Sequence, residues 1–408
     1  MKLYKKTAKR LIVLIIGLLA FSLNAQNTDA EIFSGEQLKY IGMPVGGLTT
    51  GQVYLGGDGR LWYWDIFNIN RIDPENPGAG DKFYLNPMTQ DHRFEQGFSI
   101  RVKKAITAFS KKLSTGGFSD ISFRGEYPIG KVQYKDSDIP VSVKLESFTP
   151  FIPTNYENSG FPAVVMQYHI KNESDAPLEL EIMGWLQNTA NYFTAKKTKG
   201  KHVNTIVKSD GLLQLVNTSE VNSEAKSAPD YGNMTLSLLN TDDDSWSSPK
   251  VLKDVAYSSG GIKPSETTKE SADLGDVITG ALGQKMTLKA NEERRVTFII
   301  SWYFPNVHKV EIPKLRNHEN LRYYYSKKFS SSADVASKIN EEKYLLFTTT
   351  KDWNKTWYNS NLPTWFLDRT FVNTSTLATN SCYRFDDLTN DPANEGRFYA
   401  MEGVYLGE

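Results

Sequence analysis

The carboxylate best placed to do chemistry stands near the end of the chain. Glu402 lies in Gly396-Arg397-Phe398-Tyr399-Ala400-Met401-Glu402-Gly403, among aromatic, apolar and glycine residues. This is a setting in which a carboxylate can be held against a sugar ring, to attack the anomeric carbon and form a covalent glycosyl intermediate. Such chemistry takes a second carboxyl group about 5 to 5.5 Å away, which protonates the leaving oxygen and then activates water. No acid/base partner is identified after Glu402 in the 408 residues. The sequence is therefore expected to be the front of an enzyme, without turnover of its own. Were the fragment active, the acid would have to be Asp386, Asp387, Asp391 or Glu395, in the acidic run just before the nucleophile.

Other constellations are weaker. The five histidines, His92, His169, His202, His308 and His318, show no i, i+4 pairing and no zinc spacing with Cys or carboxylates, so no metal and no cofactor is expected. Asp242-Asp243-Asp244 could bind calcium, but its Ser- and Asn-rich surroundings favour a solvated turn. Trp62, Tyr63 and Trp64 could stack on a sugar, although alternating aromatics in a strand more often fill a core. Gly46-Gly47, Gly56-Gly57 and Asp58-Gly59 are turn chemistry, and they lack the Lys-Ser/Thr of a phosphate loop. No serine-histidine-acid arrangement is discernible.

Composition and the amino terminus set the class. Lys2, Lys5, Lys6, Lys9 and Arg10 precede an apolar run over 11–21, and Ala25 offers a small residue before the chain turns polar. This predicts a signal peptide over 1–25, a mature terminus at Gln26 and a secreted or periplasmic protein. The run is shorter than the roughly 20 residues of a membrane span. Cleavage leaves 42 basic against 47 acidic residues, a net charge of −5 that argues against a nucleic-acid partner. Cys382 is the only cysteine, so no intrachain disulfide can form, and it reads as a small buried side chain.

A mature chain of this length exceeds a single core, so two units are expected. Val164, Met166, Tyr168 and Ile170 alternate with Gln167, His169 and Lys171, and Leu178, Leu180 and Ile182 alternate with Glu179 and Glu181. The polar segment 172–177 reads as the loop of a hairpin between them. Further alternation at Val141, Val143 and Leu145, and at Val296, Phe298, Ile300 and Trp302, points to a large antiparallel β-sandwich. From Ser331 the period becomes helical. Val335, Ile339, Leu346, Trp353 and Trp357 share a face, with a break expected near Thr348-Thr349-Thr350. After Pro363 a second helical stripe joins Leu367, Phe371, Ala378 and Cys382.

Several segments together resemble glycoside hydrolase family 116, the family of non-lysosomal glucosylceramidase and of bacterial and archaeal β-glucosidases. They are Met43-Pro44-Val45-Gly46-Gly47, Asp58-Gly59-Arg60-Leu61 with residues 62–68, Ser147-Phe148-Thr149-Pro150-Phe151-Ile152-Pro153, Ser301-Trp302-Tyr303-Phe304-Pro305-Asn306, Gly396-Arg397-Phe398, and Glu402-Gly403. The resemblance implies a β-sandwich over 26–310, a helical linker over 311–360 and, over 361–408, the start of a truncated (α/α)6 catalytic barrel. It places Glu402 on the family's nucleophile. It implies a carbohydrate or glycoside as partner, with sugar, aglycone and oligomeric state left open. The family's acid/base Asp, in a Thr-Tyr-Asp context, has no counterpart in these residues. Ala400-Met401 replaces a bulkier pair before Glu402, and the acidic approach over 386–395 is longer than the family's. The alternative is a carbohydrate-binding or structural sandwich module without catalysis.

Overall fold

Alternation of apolar and polar residues is what builds the body of the molecule. The computed structural model describes residues 31–68, 94–104, 107–251, 264–307, 321–379, 382–386 and 397–400. The proposed signal segment lies outside them. Two antiparallel sheets dominate. The larger has ten strands, in the order Phe33–Ser34, Asp120–Glu126, Ile129–Lys135, Val141–Phe148, Ala163–Asn172, Glu293–Tyr303, Asn233–Leu239, Leu212–Val221, Gly200–Ser209 and Lys269–Asp273. The smaller has five: Ser245–Ser248, Thr279–Leu288, Leu178–Gln187, Gln96–Lys104 and Thr107–Lys112. Their facing sides share one core, where Phe98 meets Tyr168 at 4.9 Å and Phe298 at 5.1 Å between ring centroids. Val164, Met166, Tyr168 and Ile170 point into that core, as their alternation requires. The fold is a large antiparallel β-sandwich.

The segment 172–177 is a corner between the sheets and not a hairpin loop. Ala163–Asn172 pairs with Val141–Phe148 and Glu293–Tyr303, whereas Leu178–Gln187 pairs with Gln96–Lys104 and Thr279–Leu288. Asn172, fully buried, holds the corner by donating from Nδ2 to the carbonyls of Ala176 (2.8 Å), Leu288 (3.2 Å) and Lys289 (2.9 Å). Alternation marks a strand with one face in a core. It is the same whether the next strand pairs beside it or crosses to the opposite sheet.

The outer face of the larger sheet carries a helix. Ser332–Tyr358 begins at Ser331, whose Oγ accepts from the Asp334 amide at 3.1 Å. Val335, Ala336, Ile339 and Leu346 pack with Val165, Leu212, Leu239 and Ile299 of the sheet in a second core. This helix, in the segment expected to be a helical linker, packs on the sheet. It also runs unbroken through Thr348-Thr349-Thr350. The Thr350 hydroxyl donates to the Leu346 carbonyl at 2.7 Å and accepts the Phe151 amide at 3.0 Å. That tertiary bond offsets the small helix penalty of a β-branched residue.

Past the helix the expected stripe divides. Leu367 lies in the α-helix Thr364–Thr370 and Ala378 in the 3-10 helix Val372–Ala378, but Cys382 opens the strand Cys382–Asp386. Tyr383 and Phe385 are buried on one side of that strand, a period of two that outweighs the helical spacing back to Leu367. The strand lies between Arg322–Tyr323 and Arg397–Ala400 in a small antiparallel sheet. Among the described residues after 360, one short α-helix, one 3-10 helix and two strands are present, and no helical barrel.

Candidate functional site

The glycine-rich segment is a set of turns with defined steric reasons. Gly42–Pro44, Gln52–Gly56 and Leu61–Asp65 form a three-stranded sheet. Between the last two, buried Asp58 accepts from Arg60 Nε at 2.8 Å and from Thr115 Oγ1 at 3.3 Å, and its carbonyl accepts the Tyr134 hydroxyl at 2.9 Å. Gly59 has φ +84°, and a Cβ there would sit 1.7 Å from the Tyr134 hydroxyl. Trp62 is buried, packed 5.4 Å from Tyr54, and Trp64 packs 5.0 Å from Phe94. Asp242 is held by Arg294 Nη2 at 3.0 Å and Gln284 Nε2 at 2.7 Å. Among the described residues no group of three or more His, Cys, Asp or Glu side chains is arranged to hold a metal.

The motif segments, far apart in sequence, converge at one place. The Thr149 hydroxyl reaches the carbonyls of Val45 and Ala163. Trp302 Nε1 donates to the Thr50 carbonyl at 2.8 Å, and the Leu48 amide donates to the Ser159 carbonyl at 2.9 Å. Asn68 Nδ2 donates to the carbonyls of Phe304 and Asn306, each at 2.7 Å, while Phe67 packs 4.9 Å from Phe304. Residues 45–50, 67–68, 149 and 302–306 thus meet at one set of loops and strand ends.

From there a tyrosine column leads to the terminal strands. The Tyr325 hydroxyl donates to the Phe304 carbonyl at 2.7 Å and accepts the Phe304 amide at 3.0 Å. Tyr323 stacks on Tyr325 at 5.4 Å and 14°, and on Tyr383 at 6.5 Å and 25°. Tyr383 and Phe385 thereby fix one face of Cys382–Asp386. Arg384 fixes the other. Only 4% exposed, its guanidinium lies 3.4 Å from the Tyr324 ring centroid and 4.2 Å from that of Tyr156, with Nη1 3.0 Å from Glu157 Oε1. Tyr156 and Glu157 belong to the short helix Tyr156–Ser159, which follows the 147–153 segment directly. Lys328 donates to the Glu157 carbonyl at 2.6 Å and lies 4.7 Å from the Phe161 ring centroid. Burial pushes its ammonium below the usual lysine range, with Glu157 opposing. Thr49, Thr50, Tyr156, Glu157, Tyr324 and Arg384 line a cleft at this junction.

A family model described as "beta-glucosidase 2, glycosyl-hydrolase family 116 N-term" matches residues 42–346. The chain belongs to glycoside hydrolase family 116. The family 116 match takes in the sandwich and continues into the helix Ser332–Tyr358. Among solved structures, the chain is similar to a bacterial glucoamylase complexed with acarbose (10% identity, 81% of this chain, 41% of that one, TM-score 0.38). It is also similar to a protein from human microbiome assigned as a kojibiose phosphorylase (10%, 64%, 27%, 0.33). A third is a galactose mutarotase related enzyme from Lactobacillus acidophilus (7%, 67%, 100%, 0.32). The chain spans less than half the length of the first two, and similarity at these TM-scores says nothing of shared activity.

Glu402, Asp387, Asp391 and Glu395 lie outside the described residues. Ala400, two residues before Glu402, pairs with Cys382. Asp386 is mostly covered, 3.6 Å from Lys327. Two other buried carboxylates of the family 116 domain are committed to structure: Glu126 to Arg124 and Lys131, and Asp230 to the amides of Phe193 and Thr194. Sequence reading passed over Arg384, Tyr156, Glu157, Tyr324 and Lys328. The signal was the alternation Cys382-Tyr383-Arg384-Phe385-Asp386, a strand carrying one arginine between two aromatics.

Proposed function

We propose that this family 116 chain is the amino-terminal part of an exported retaining β-glycosidase of the β-glucosidase and glucosylceramidase kind, with Glu402 as nucleophile. What supports the reading is the family match together with the Glu-Gly pair two residues beyond the strand Arg397–Ala400, which pairs with Cys382–Asp386. Glu402 attacks the anomeric carbon, the aglycone oxygen leaves with a proton from a carboxylic acid, and water then releases the sugar. The acid/base is assigned to none of the 408 residues. Of the candidate stacking platform for a binding module, Trp62 is buried while Tyr63 and Trp64 are half-buried.

In the full-length protein, 2,4-dinitrophenyl 2-deoxy-2-fluoro-β-glucoside should label the peptide containing Glu402. The variant Glu402→Gln should take no label, because the amide cannot attack carbon. Mass spectrometry of the digested protein decides, and label on another carboxylate overturns the assignment. Export is checked by sequencing the secreted protein, whose expected first residue is Gln26.

A further inference from the structure

We propose that the cleft between the sandwich loops and the terminal sheet binds a neutral saccharide, with one sugar hydroxyl seated against Thr49 and the sugar ring laid on Tyr156. The sugar class rests on the proposed glycosidase activity; the site itself rests on the residues that line it. Thr49 has φ +61°, a conformation that is strained for a β-branched residue and that clusters where proteins clamp ligands. Bonds on either side hold it there: the Leu48 amide donates to the Ser159 carbonyl at 2.9 Å, and the Thr50 carbonyl accepts Trp302 Nε1 at 2.8 Å. Glycine would take this φ without strain. Threonine brings a hydroxyl instead. The residue is only 9% exposed and lines the cleft, and its hydroxyl makes no hydrogen bond to any described residue. A hydroxyl so placed gains from a ligand that can bond it.

The lining selects the chemistry of that ligand. The enclosed part of the cleft is about 20 Å³, room for a group the size of one water molecule. Around it, Arg384 Nη1 lies 3.0 Å from Glu157 Oε1 and Lys328 Nζ lies 3.9 Å from Oε2. The carboxylate only accepts, the two cations only donate, and the Thr49 hydroxyl does both. A cationic ligand would face Arg384 and Lys328, while a carboxylate or phosphate would face Glu157 and exceed the space. An uncharged hydroxyl fits, because it donates and accepts at once. Outside the slot stands Tyr156, 36% exposed, its ring held by the Arg384 guanidinium 4.2 Å from the centroid. Such a ring packs against the apolar C–H face of a pyranose. A molecule that joins an apolar ring face to several hydroxyls is a saccharide. Slot and ring are fixed before binding, so little ordering is left to oppose it.

The test titrates the 408-residue chain with cellobiose by isothermal calorimetry. Wild type should bind it saturably. Tyr156→Ala should weaken binding by about 3- to 10-fold through loss of the ring. Thr49→Val keeps the branched shape and removes the hydroxyl, and should weaken binding by about 3- to 10-fold as well. Thr49→Ser restores the hydroxyl and should stay within about twofold of wild type. Tyr344→Ala, 85% exposed on the helix Ser332–Tyr358, serves as the unchanged control. If Thr49→Val does not fold, Tyr156→Ala, at a partly exposed position, decides alone. Binding of xylobiose in place of cellobiose, with the same dependence on Tyr156 and Thr49, keeps the site and discards the glucosyl part of the proposed activity. Fluoroglucoside label away from Glu402 would end the nucleophile assignment and leave this titration untouched. No saturable binding of either disaccharide, or affinities unchanged in Tyr156→Ala and Thr49→Val, overturns the proposal, and the slot then holds water only.

Discussion

At Gly59 a single hydrogen atom keeps a turn in place. With φ +84° and the Tyr134 hydroxyl 1.7 Å from where a Cβ would lie, alanine there is strained twice, in its backbone and against a buried ring. Gly211 shares a positive φ, +63°, but has nothing within 4 Å of its Cβ position. Urea denaturation of the two alanine variants separates the effects. Gly211→Ala should cost about 1 kcal/mol for the backbone alone. Gly59→Ala should cost roughly 2 to 4 kcal/mol, since Tyr134 must also give up its bond to the Asp58 carbonyl. Equal losses would mean that Tyr134 moves aside freely. The glycine-rich run was legible as turns in the sequence. The partner that makes one of its glycines irreplaceable was not, because Tyr134 comes from a strand far along the chain, 76 residues after Asp58.

At the scale of elements, the later turns of the helix Ser332–Tyr358 are fastened to the sandwich by polar contacts from Thr350, Lys351 and Asn354. Thr350 takes the Phe151 amide, Lys351 bonds Glu146 at 2.8 Å and Gln167 at 2.7 Å, and Asn354 Nδ2 donates to the Glu126 carbonyl at 2.6 Å. Thr350→Val keeps the shape and leaves a buried amide without a partner, so it should cost about 1 to 3 kcal/mol by chemical denaturation. Glu146 adds a pH dependence. Burial acts to raise its carboxyl, but the His169 ring 3.7 Å away and hydrogen bonds from Lys144 and Lys351 prevail and hold it well below the usual glutamate range. A lowered folded value gives stability that is complete above the unfolded value of 4.5 and lost as pH falls below it. Melting temperature should therefore drop between about pH 5 and 3, and less steeply in Glu146→Gln. The helix itself was visible in its apolar spacing. Its continuity was not, since a run of threonines carries only a weak local preference that one tertiary bond reverses. The corner at Asn172 escaped for a related reason: strand periodicity names a buried face but not the sheet that covers it.

For the whole molecule, the second core joins sheet and helix into one unit. A fragment ending at 307 leaves Val165, Leu212, Leu239 and Ile299 uncovered, at roughly 1.5 to 3 kcal/mol for each large aliphatic side chain. It should aggregate or melt without cooperativity, whereas a fragment over 31–360 should show a single transition by circular dichroism. The sandwich class and four of its long strands, Val141–Phe148, Ala163–Asn172, Leu178–Gln187 and Glu293–Tyr303, were readable beforehand from alternation. The terminal sheet was not, because a four- or five-residue strand gives too few periods to outweigh a helical spacing. The larger sheet also has a distinctive order of assembly. Its last long strand in the chain, Glu293–Tyr303, lies in the middle, hydrogen-bonded to Ala163–Asn172 on one side and Asn233–Leu239 on the other. A ribosome delivers both halves of the sheet before it delivers the strand that joins them. Until then each half presents an open edge, so the sandwich closes late and over long loops, and its slowest step falls after most of the domain has been synthesised.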